Sequence, residues 1–419
     1  MREIGCIETV LTDFETIRLS KLIPQDESCS LLSMGMAKAL AVKSEKTSKR
    51  DVDKIYRHVR SKFFLCAVSN KAIKQRYMTL WPEQYDTVSD VKKNKIIDND
   101  HFVNYDIEFP MYEDLARFHT NPEGANLSAR MDLYKLHAEQ HIRRLYNEVF
   151  EVPDQIIHVT STGYFDPNPV ATILSEKQWY DVELTNFYHK SSNATISAIG
   201  NAYAYMRSSH AGGYEKPKKR IDLVHSELFS AHIKIADDQP FNIMLMSTLS
   251  DSFLRYSVRN YEDVLANDKD GLKILAFKHM MIPGTTSVIE LKVSNPAFDY
   301  KLDALKYLKM LSSNVKQFVT SFLKEVGLDY KEVKKRLIFV IPASSSMIIK
   351  QIKKELQLSD EQIALSQTTL YENGYLSSGA IPYMCKELIE SDTIPAGQKV
   401  FCLGHGNGIL LSGMLLEKM

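Results

Sequence analysis

The chain has no surplus of either charge. Its 52 lysines and arginines balance 52 aspartates and glutamates over 419 residues, a formal net charge of zero. Proteins whose main partner is nucleic acid need a basic excess to displace counterions from phosphates, so that partner is excluded. Cysteine is scarce. Five residues, an odd number with no CxxC pair, build neither a disulfide framework nor a zinc site, and reduced thiols with no metal are expected. No run approaches the roughly 18 consecutive apolar residues of a membrane span. The opening Met1-Arg2-Glu3-Ile4-Gly5-Cys6 puts a glutamate where a signal peptide has a basic region and then an apolar stretch. A cytoplasmic protein is therefore expected. Low-complexity tracts and short repeats are missing too. With 44% hydrophobic and 25% charged residues, the composition is that of a globular protein, which excludes a disordered or fibrous chain.

At roughly 100–200 residues per domain, the length implies two or three domains or one large duplicated fold. Residues 43–54 (KSEKTSKRDVDK) read as a solvated loop or helix surface, and 211–219 (AGGYEKPKK) as an exposed loop. Between such stretches, strands and helices alternate. Residues 156–160 read as a buried strand, 193–206 as a small-residue helix and 220–224 as another strand. The second part repeats the theme with strands at 286–293, 337–341 and 400–403 and helices at 304–326 and 347–356. This grammar predicts an α/β fold in two similar halves, 1–265 and 266–419.

Five stretches, in order, carry a resemblance. Ser69-Asn70-Lys71-Ala72-Ile73-Lys74-Gln75-Arg76-Tyr77-Met78 is similar to "S-x-I-x-x-R-Y/H-M", and Ala129-Arg130-Met131-Asp132-Leu133-Tyr134 to "A-R-M-x-x-Y". His158-Val159-Thr160-Ser161-Thr162-Gly163-Tyr164 resembles "H-x-V-T-C-T-G-Y", residues 371–382 (YENGYLSSGAIP) the "G-N-x-S-S-A-x-x-P" turn, and Gly404-His405-Gly406-Asn407-Gly408 "G-F-G-x-G". Together they resemble type III polyketide synthases and ketoacyl-ACP synthase III enzymes of the thiolase superfamily. The resemblance implies a duplicated αβαβα five-layer fold, a dimer, and an active site at the end of a buried tunnel.

That family uses a cysteine, a histidine and an asparagine. The thiolate attacks an acyl thioester, and the other two polarise the next carbonyl and assist decarboxylation. Aligning "H-x-G-C-x-A" with His189-Lys190-Ser191-Ser192-Asn193-Ala194 puts Ser192 at the cysteine and Ser191 at the glycine. The histidine before proline becomes Ile341, ahead of Pro342. The asparagine becomes Tyr375, with Asn373 two residues away, and "F-G-D-G-A-A-A" survives only as Leu249-Ser250-Asp251-Ser252-Phe253-Leu254-Arg255. All three catalytic identities are changed. Isoleucine neither donates a hydrogen bond nor shuttles a proton, so ordinary decarboxylative condensation is not expected.

A serine needs an adjacent base. In the family the aromatic residue of "G-F-G" lies near the nucleophile, so the resemblance points to a Ser192–His405 pair; the alternative is that His405 merely fills the aromatic slot. His158, His189 and His225 read as hydrogen-bonded core or strand-end residues. Asp166, before Pro167, stands where some relatives extend a carboxylate across the dimer interface, although an Asp before Pro also caps turns. Arg57, Arg60 and Lys62 are candidates for receiving coenzyme A phosphates or an acyl carrier protein, or else form a solvated helix face. No cofactor is expected beyond an acyl-CoA or acyl-carrier-protein substrate. Two functions compete: acyl transfer or atypical condensation through Ser192, and a catalytically inactive subunit pairing with an active condensing enzyme. A weaker third is a ligand-binding module using the old tunnel. The partner is itself or a ketosynthase homologue.

Overall fold

The computed structural model describes residues 7–17, 19, 22–46, 48–79, 111–112, 121–213, 216–342 and 345–419. Nine strands form its main sheet. The first half contributes β1 (Thr9–Thr16), β4 (Gln155–Thr160), β5 (Glu183–Tyr188), β6 (Arg220–Glu227) and β7 (Ser252–Asn260). The second contributes β8 (Leu272–Met281), β11 (Ile338–Val340), β12 (Lys399–Gly406) and β13 (Leu410–Lys418). Their spatial order is β1-β7-β6-β4-β5 in one half and β8-β13-β12-β11 in the other. Each half pairs its strands antiparallel, antiparallel, then parallel. The halves are thus copies of one plan, joined where Val10 pairs with Lys273 and Leu11 with Leu272.

The layers follow from the two-residue period of a strand. In β4, Ile156 turns outward onto α3 (Leu127–Leu145) and α4 (Pro169–Glu176), while Ile157 and Val159 turn inward. In β12, Phe401 and Leu403 face α7 (Ala304–Glu325), α8 (Ser346–Leu356) and α9 (Asp360–Asn373), and Val400 and Cys402 face inward. The inward sets of both halves close on α5 (Asn193–Ser208) and α10 (Ala380–Glu390). Ala194, Ala198 and Ala202, all fully buried, let α5 lie between two sheet faces. The outcome is the expected αβαβα arrangement. Smaller pieces lie beside these layers: β2 (Leu22–Pro24) pairs with β3 (Gln75–Tyr77), and α1 (Gln25–Lys43) packs on α2 (Lys49–Cys66) and near α6 (Pro240–Met246). Among the described residues, no helix is long and apolar enough to cross a membrane.

One strand expectation needs correction. The segment 286–293 contains only β9 (Ile289–Lys292), which pairs with β10 (Asp299–Leu302) outside the main sheet. The main-sheet strand is the preceding β8, whose LKILAFKHMM is largely half-buried and interrupted by lysines, so it lacks a continuous apolar signature.

Two motif arginines hold the layer above the site. Arg76 is fully buried and donates to Gln25 Oε1, Ser28 Oγ and the carbonyls of Met246 and Leu249, all at 2.7–2.8 Å. Arg130, equally buried, donates to the carbonyls of Glu123, Ala125, Ala231 and Ile233 at 2.7–3.0 Å and to the Tyr112 hydroxyl at 3.1 Å.

Candidate active site

Strand β5 ends at Tyr188, and a tight turn leads into α5. His189 and Ser191 have positive φ, 58° and 52°, so the turn folds back sharply before the helix. Ser192 sits at the N-cap of α5, yet its side chain caps nothing. Its hydroxyl is fully buried and donates to the backbone carbonyl of His405 at 2.7 Å. This close approach depends on β12 carrying glycines. A Cβ on Gly404 would lie 2.8 Å from Asn193 Oδ1, and one on Gly406 2.6 Å from Asn193 Nδ2.

Ser192 and His405 are therefore neighbours, but the expected contact between hydroxyl and imidazole is replaced by one between hydroxyl and peptide carbonyl. The ring turns elsewhere: Nδ1 meets the Tyr307 hydroxyl at 2.5 Å, and Nε2 has no hydrogen-bond partner. Burial pushes the His405 pKa down to about 4, which the Pro342 carbonyl only partly offsets, so the ring is neutral at physiological pH. It offers Ser192 neither a base nor a positive charge.

Ser191 is the serine that faces open space. Its hydroxyl lies 3.0 Å from the Tyr375 hydroxyl, and its amide donates to Ser161 Oγ at 3.1 Å. Tyr375 is fixed by backbone hydrogen bonds to both Thr248 and Ser250, and burial raises its phenol pKa, so it stays protonated. Ile341 is buried among outer-layer residues and its amide donates to Ser366 Oγ at 2.9 Å. Asn373 turns back to its own helix, with Nδ2 3.3 Å from the Thr369 carbonyl.

Ser191, Tyr307, Tyr375 and His405 line a cavity of about 100 Å³ whose opposite wall is apolar, including Met244, Ile289 and Ile348. A second chamber of about 240 Å³ adjoins it. Phe229, Phe241, Leu245, Leu249 and Tyr300 belong to both walls. Lys62 on α2 forms an ion pair with Asp238, between the second chamber's Asp237 and Gln239, so its charge is already engaged. Arg57 and Arg60 are exposed on α2. Asp166 is exposed between β4 and α4; burial raises the nearby Tyr188 pKa, and the Asp166 charge adds a smaller push in the same direction.

The other histidines divide. His158 Nε2 bonds Ser226 Oγ at 2.7 Å, and His225 bridges Ser378 Oγ and the Tyr256 hydroxyl, both at 3.1 Å; burial pushes both pKa values down to about 3. His189 departs from the expected hydrogen-bonded role. Neither ring nitrogen has a hydrogen-bond partner, and the ring packs among Tyr164, Tyr188 and Phe298.

Sequence reasoning missed Glu227. It ends β6, fully buried, and accepts from the Ser161 amide (2.9 Å), Thr162 Oγ1 (3.3 Å) and Ser378 Oγ (2.5 Å). Burial pushes its pKa up to about 7, against those hydrogen bonds. An acid closing a strand of wholly buried residues was the signal available. The folded chain therefore holds this proton between the ordinary 4.5 and about 7, where the unfolded chain has lost it. Its contribution to stability is complete below about pH 4.5 and lost as pH rises through 7, about 3 kcal/mol in all. Glu227→Gln stays neutral, so its stability relative to the parent should rise by up to about 3 kcal/mol from pH 5 to 8. Urea unfolding at each pH measures this, and a pH-independent difference would mean that Glu227 is ionised throughout.

A duplicated five-layer arrangement with a pocket under the N-terminus of a buried helix is a thiolase-like fold. Residues 273–419 match the family described as chalcone and stilbene synthases, C-terminal domain. A stretch of 175 residues is 22% identical to "Type III polyketide synthase B" of Arabidopsis thaliana, spanning 42% of this chain and 44% of that protein. The fold is similar to that of PKS-I from the brown alga Ectocarpus siliculosus, with a TM-score of 0.74 at 16% identity over 100% of both chains. It is also similar to the C-terminal type III polyketide synthase domain of Steely1, a type I/III hybrid from Dictyostelium, with a TM-score of 0.72 at 16% identity over 98% and 99% of the chains. Structural likeness at that identity establishes the fold, and the sequence likeness to chalcone and stilbene synthases rests on residues 273–419.

Proposed function

We propose that this chain handles the acyl or ketide group of a polyketide-pathway thioester by holding it non-covalently in the chamber beside Ser191, without catalysing condensation. The observation that carries this reading is the Ser192 hydroxyl, enclosed and committed to the His405 carbonyl with no base in contact. The ring nearest to it is neutral, and Tyr375 keeps its proton. Nothing there generates a nucleophile. Acyl transfer or atypical condensation through Ser192 is the second reading, favoured by its place at the N-terminus of a 16-residue helix, where amides suit an oxyanion. It requires the hydroxyl to leave its carbonyl and find a base.

As a non-condensing subunit in the cytoplasm, the chain would pair with itself or with an active ketosynthase homologue. Strand β5 is one of the sheet's two edges among the described residues, with exposed Tyr164 and Tyr180 nearby in sequence, which supports a second chain there. Arg57 and Arg60, exposed on α2, would receive the thioester's CoA or carrier protein, Lys62 would join them by leaving Asp238, and Asp166 would reach toward the partner. Intact-protein mass spectrometry after incubation with a panel of acyl-CoAs tests the central claim. The expected spectrum is that of the unmodified chain, and an acyl adduct lost in Ser192→Ala would establish the second reading instead.

A further inference from the structure

The outer face of α2 carries a pattern that neither the fold nor the site explains. At helical spacing Arg50, Lys54, Arg57, Ser61 and Phe64 fall on one line, with Arg60 and Leu65 to either side. All of these side chains are exposed. The opposite face, with Val59 and Phe63, is buried in a cluster shared with α1. From Arg50 to Phe64 the stripe is about 21 Å long, at 1.5 Å per residue.

Charge is one-sided along it. Arg50, Lys54, Arg57 and Arg60 supply four cations. Of the helix's two acids, Asp51 is bonded to the Ser48 hydroxyl at 2.6 Å, and Asp53 lies beside Arg57, its carbonyl 3.4 Å from Arg57 Nε. Four cations against Asp53 leave the stripe three charges positive, in a chain whose formal net charge is zero. Lys62, on the flank, is already paired with Asp238 and adds nothing.

The stripe ends on two large apolar neighbours. Phe64 is 88% exposed and Leu65 78%. Single apolar side chains on a surface are ordinary, but two adjoining ones at the end of a basic stripe mark an interaction site. Their exposure also describes their shape: both project, with little protein beside them. The core of a protein–protein contact is a packed, desolvated pocket. A bilayer interface accepts projecting apolar side chains without any matching socket, and its anionic headgroups suit the cations behind them.

We propose that the outer face of α2 docks this chain on an anionic lipid membrane. Phe64 and Leu65 enter the boundary between headgroups and acyl chains, and Arg50, Lys54, Arg57 and Arg60 lie over the lipid phosphates. The claim stands apart from the thioester reading above, in which Arg50, Lys54, Phe64 and Leu65 take no part.

Flotation of the whole chain with phosphatidylcholine vesicles, with and without about one-third phosphatidylserine, tests this. Partition onto the phosphatidylserine vesicles should be at least about 20-fold stronger and should fall as salt is raised. Arg50→Gln with Lys54→Gln should weaken it about 20-fold, at roughly five-fold per cation. Phe64→Gln with Leu65→Gln should weaken it at least about ten-fold, the scale of one apolar side chain withdrawn from water. All four positions are exposed, so both double variants should keep the parent's denaturant midpoint. Equal partition onto the two vesicles, no binding at low salt, or parental binding by either folded variant would each overturn the proposal. So would tight binding of an acidic acyl carrier protein that the Phe64/Leu65 variant loses while vesicles bind neither chain, which makes the face a protein dock. Should a variant fail to fold, the parent's preference between the two vesicles and its salt dependence still decide the matter.

Discussion

Ser192→Cys should yield a sluggish thiol, reacting with iodoacetamide at least about 10²-fold more slowly than free cysteine at pH 7.5. The reason is local. The side chain at this position is fully enclosed and donates to the His405 carbonyl, a contact that favours the protonated form. Burial acts in the same direction. The opposing influence is the positive end of α5, worth about 0.3–1 kcal/mol in the usual case. An imidazolium would change the balance, but His405 is neutral and its Nδ1 is taken by Tyr307. With Ile341 and Tyr375 in the other two positions, the variant should also release no more carbon dioxide from malonyl-CoA than the parent. Labelling at the rate of free cysteine, with the unfolded chain as reference, would mean that the turn opens readily and that Ser192 is accessible after all.

Replacing Arg130 by methionine should lower the unfolding free energy by about 3–5 kcal/mol. The loss of one guanidinium leaves the carbonyls of Glu123, Ala125 and Ala231 without this donor, and that of Ile233 with only the Tyr112 hydroxyl. Lysine would restore the charge but not the fork that reaches several acceptors at once, so Arg130→Lys should remain well below the parent. Arg143→Met is the contrasting case. Its pair with Glu176 is about half exposed on both sides, and the cost should stay within about 1 kcal/mol. Denaturant midpoints of the three variants decide this, and equal costs at 130 and 143 would contradict the role given to Arg130.

The architecture was legible because its strongest signals are local. Ile156, Ile157 and Val159 sit in a run of wholly buried residues, and the order of the motif stretches from Ser69 to Gly408 carried the duplication. Strand β8 was hidden because half-buried positions with lysines between them resemble a surface segment. At the site, the altered identities at 192, 341 and 375 could be read directly, but their consequences could not. Ser191 and Ser192 are the same residue type, and only the sharp turn decides which faces the cavity. Tyr307 and His405 lie 98 positions apart, so their bond has no trace in either neighbourhood. Glu227 looks ordinary until β6 is seen to be buried along its whole length.

The sheet also bears on where this chain can be cut. The family match begins at 273, within β8, which suggests a convenient fragment. Yet Val400, Cys402, Met414 and Leu416 are covered in the central layer that contains α5, a helix from the other half. Severed at that point, the fragment would turn this face to water and forfeit roughly 1.5–3 kcal/mol for each large side chain uncovered. It would also lose the serine that satisfies the His405 carbonyl. A boundary of sequence similarity is here no boundary of folding autonomy: the shorter piece would aggregate, and only the whole chain is a sound unit for expression.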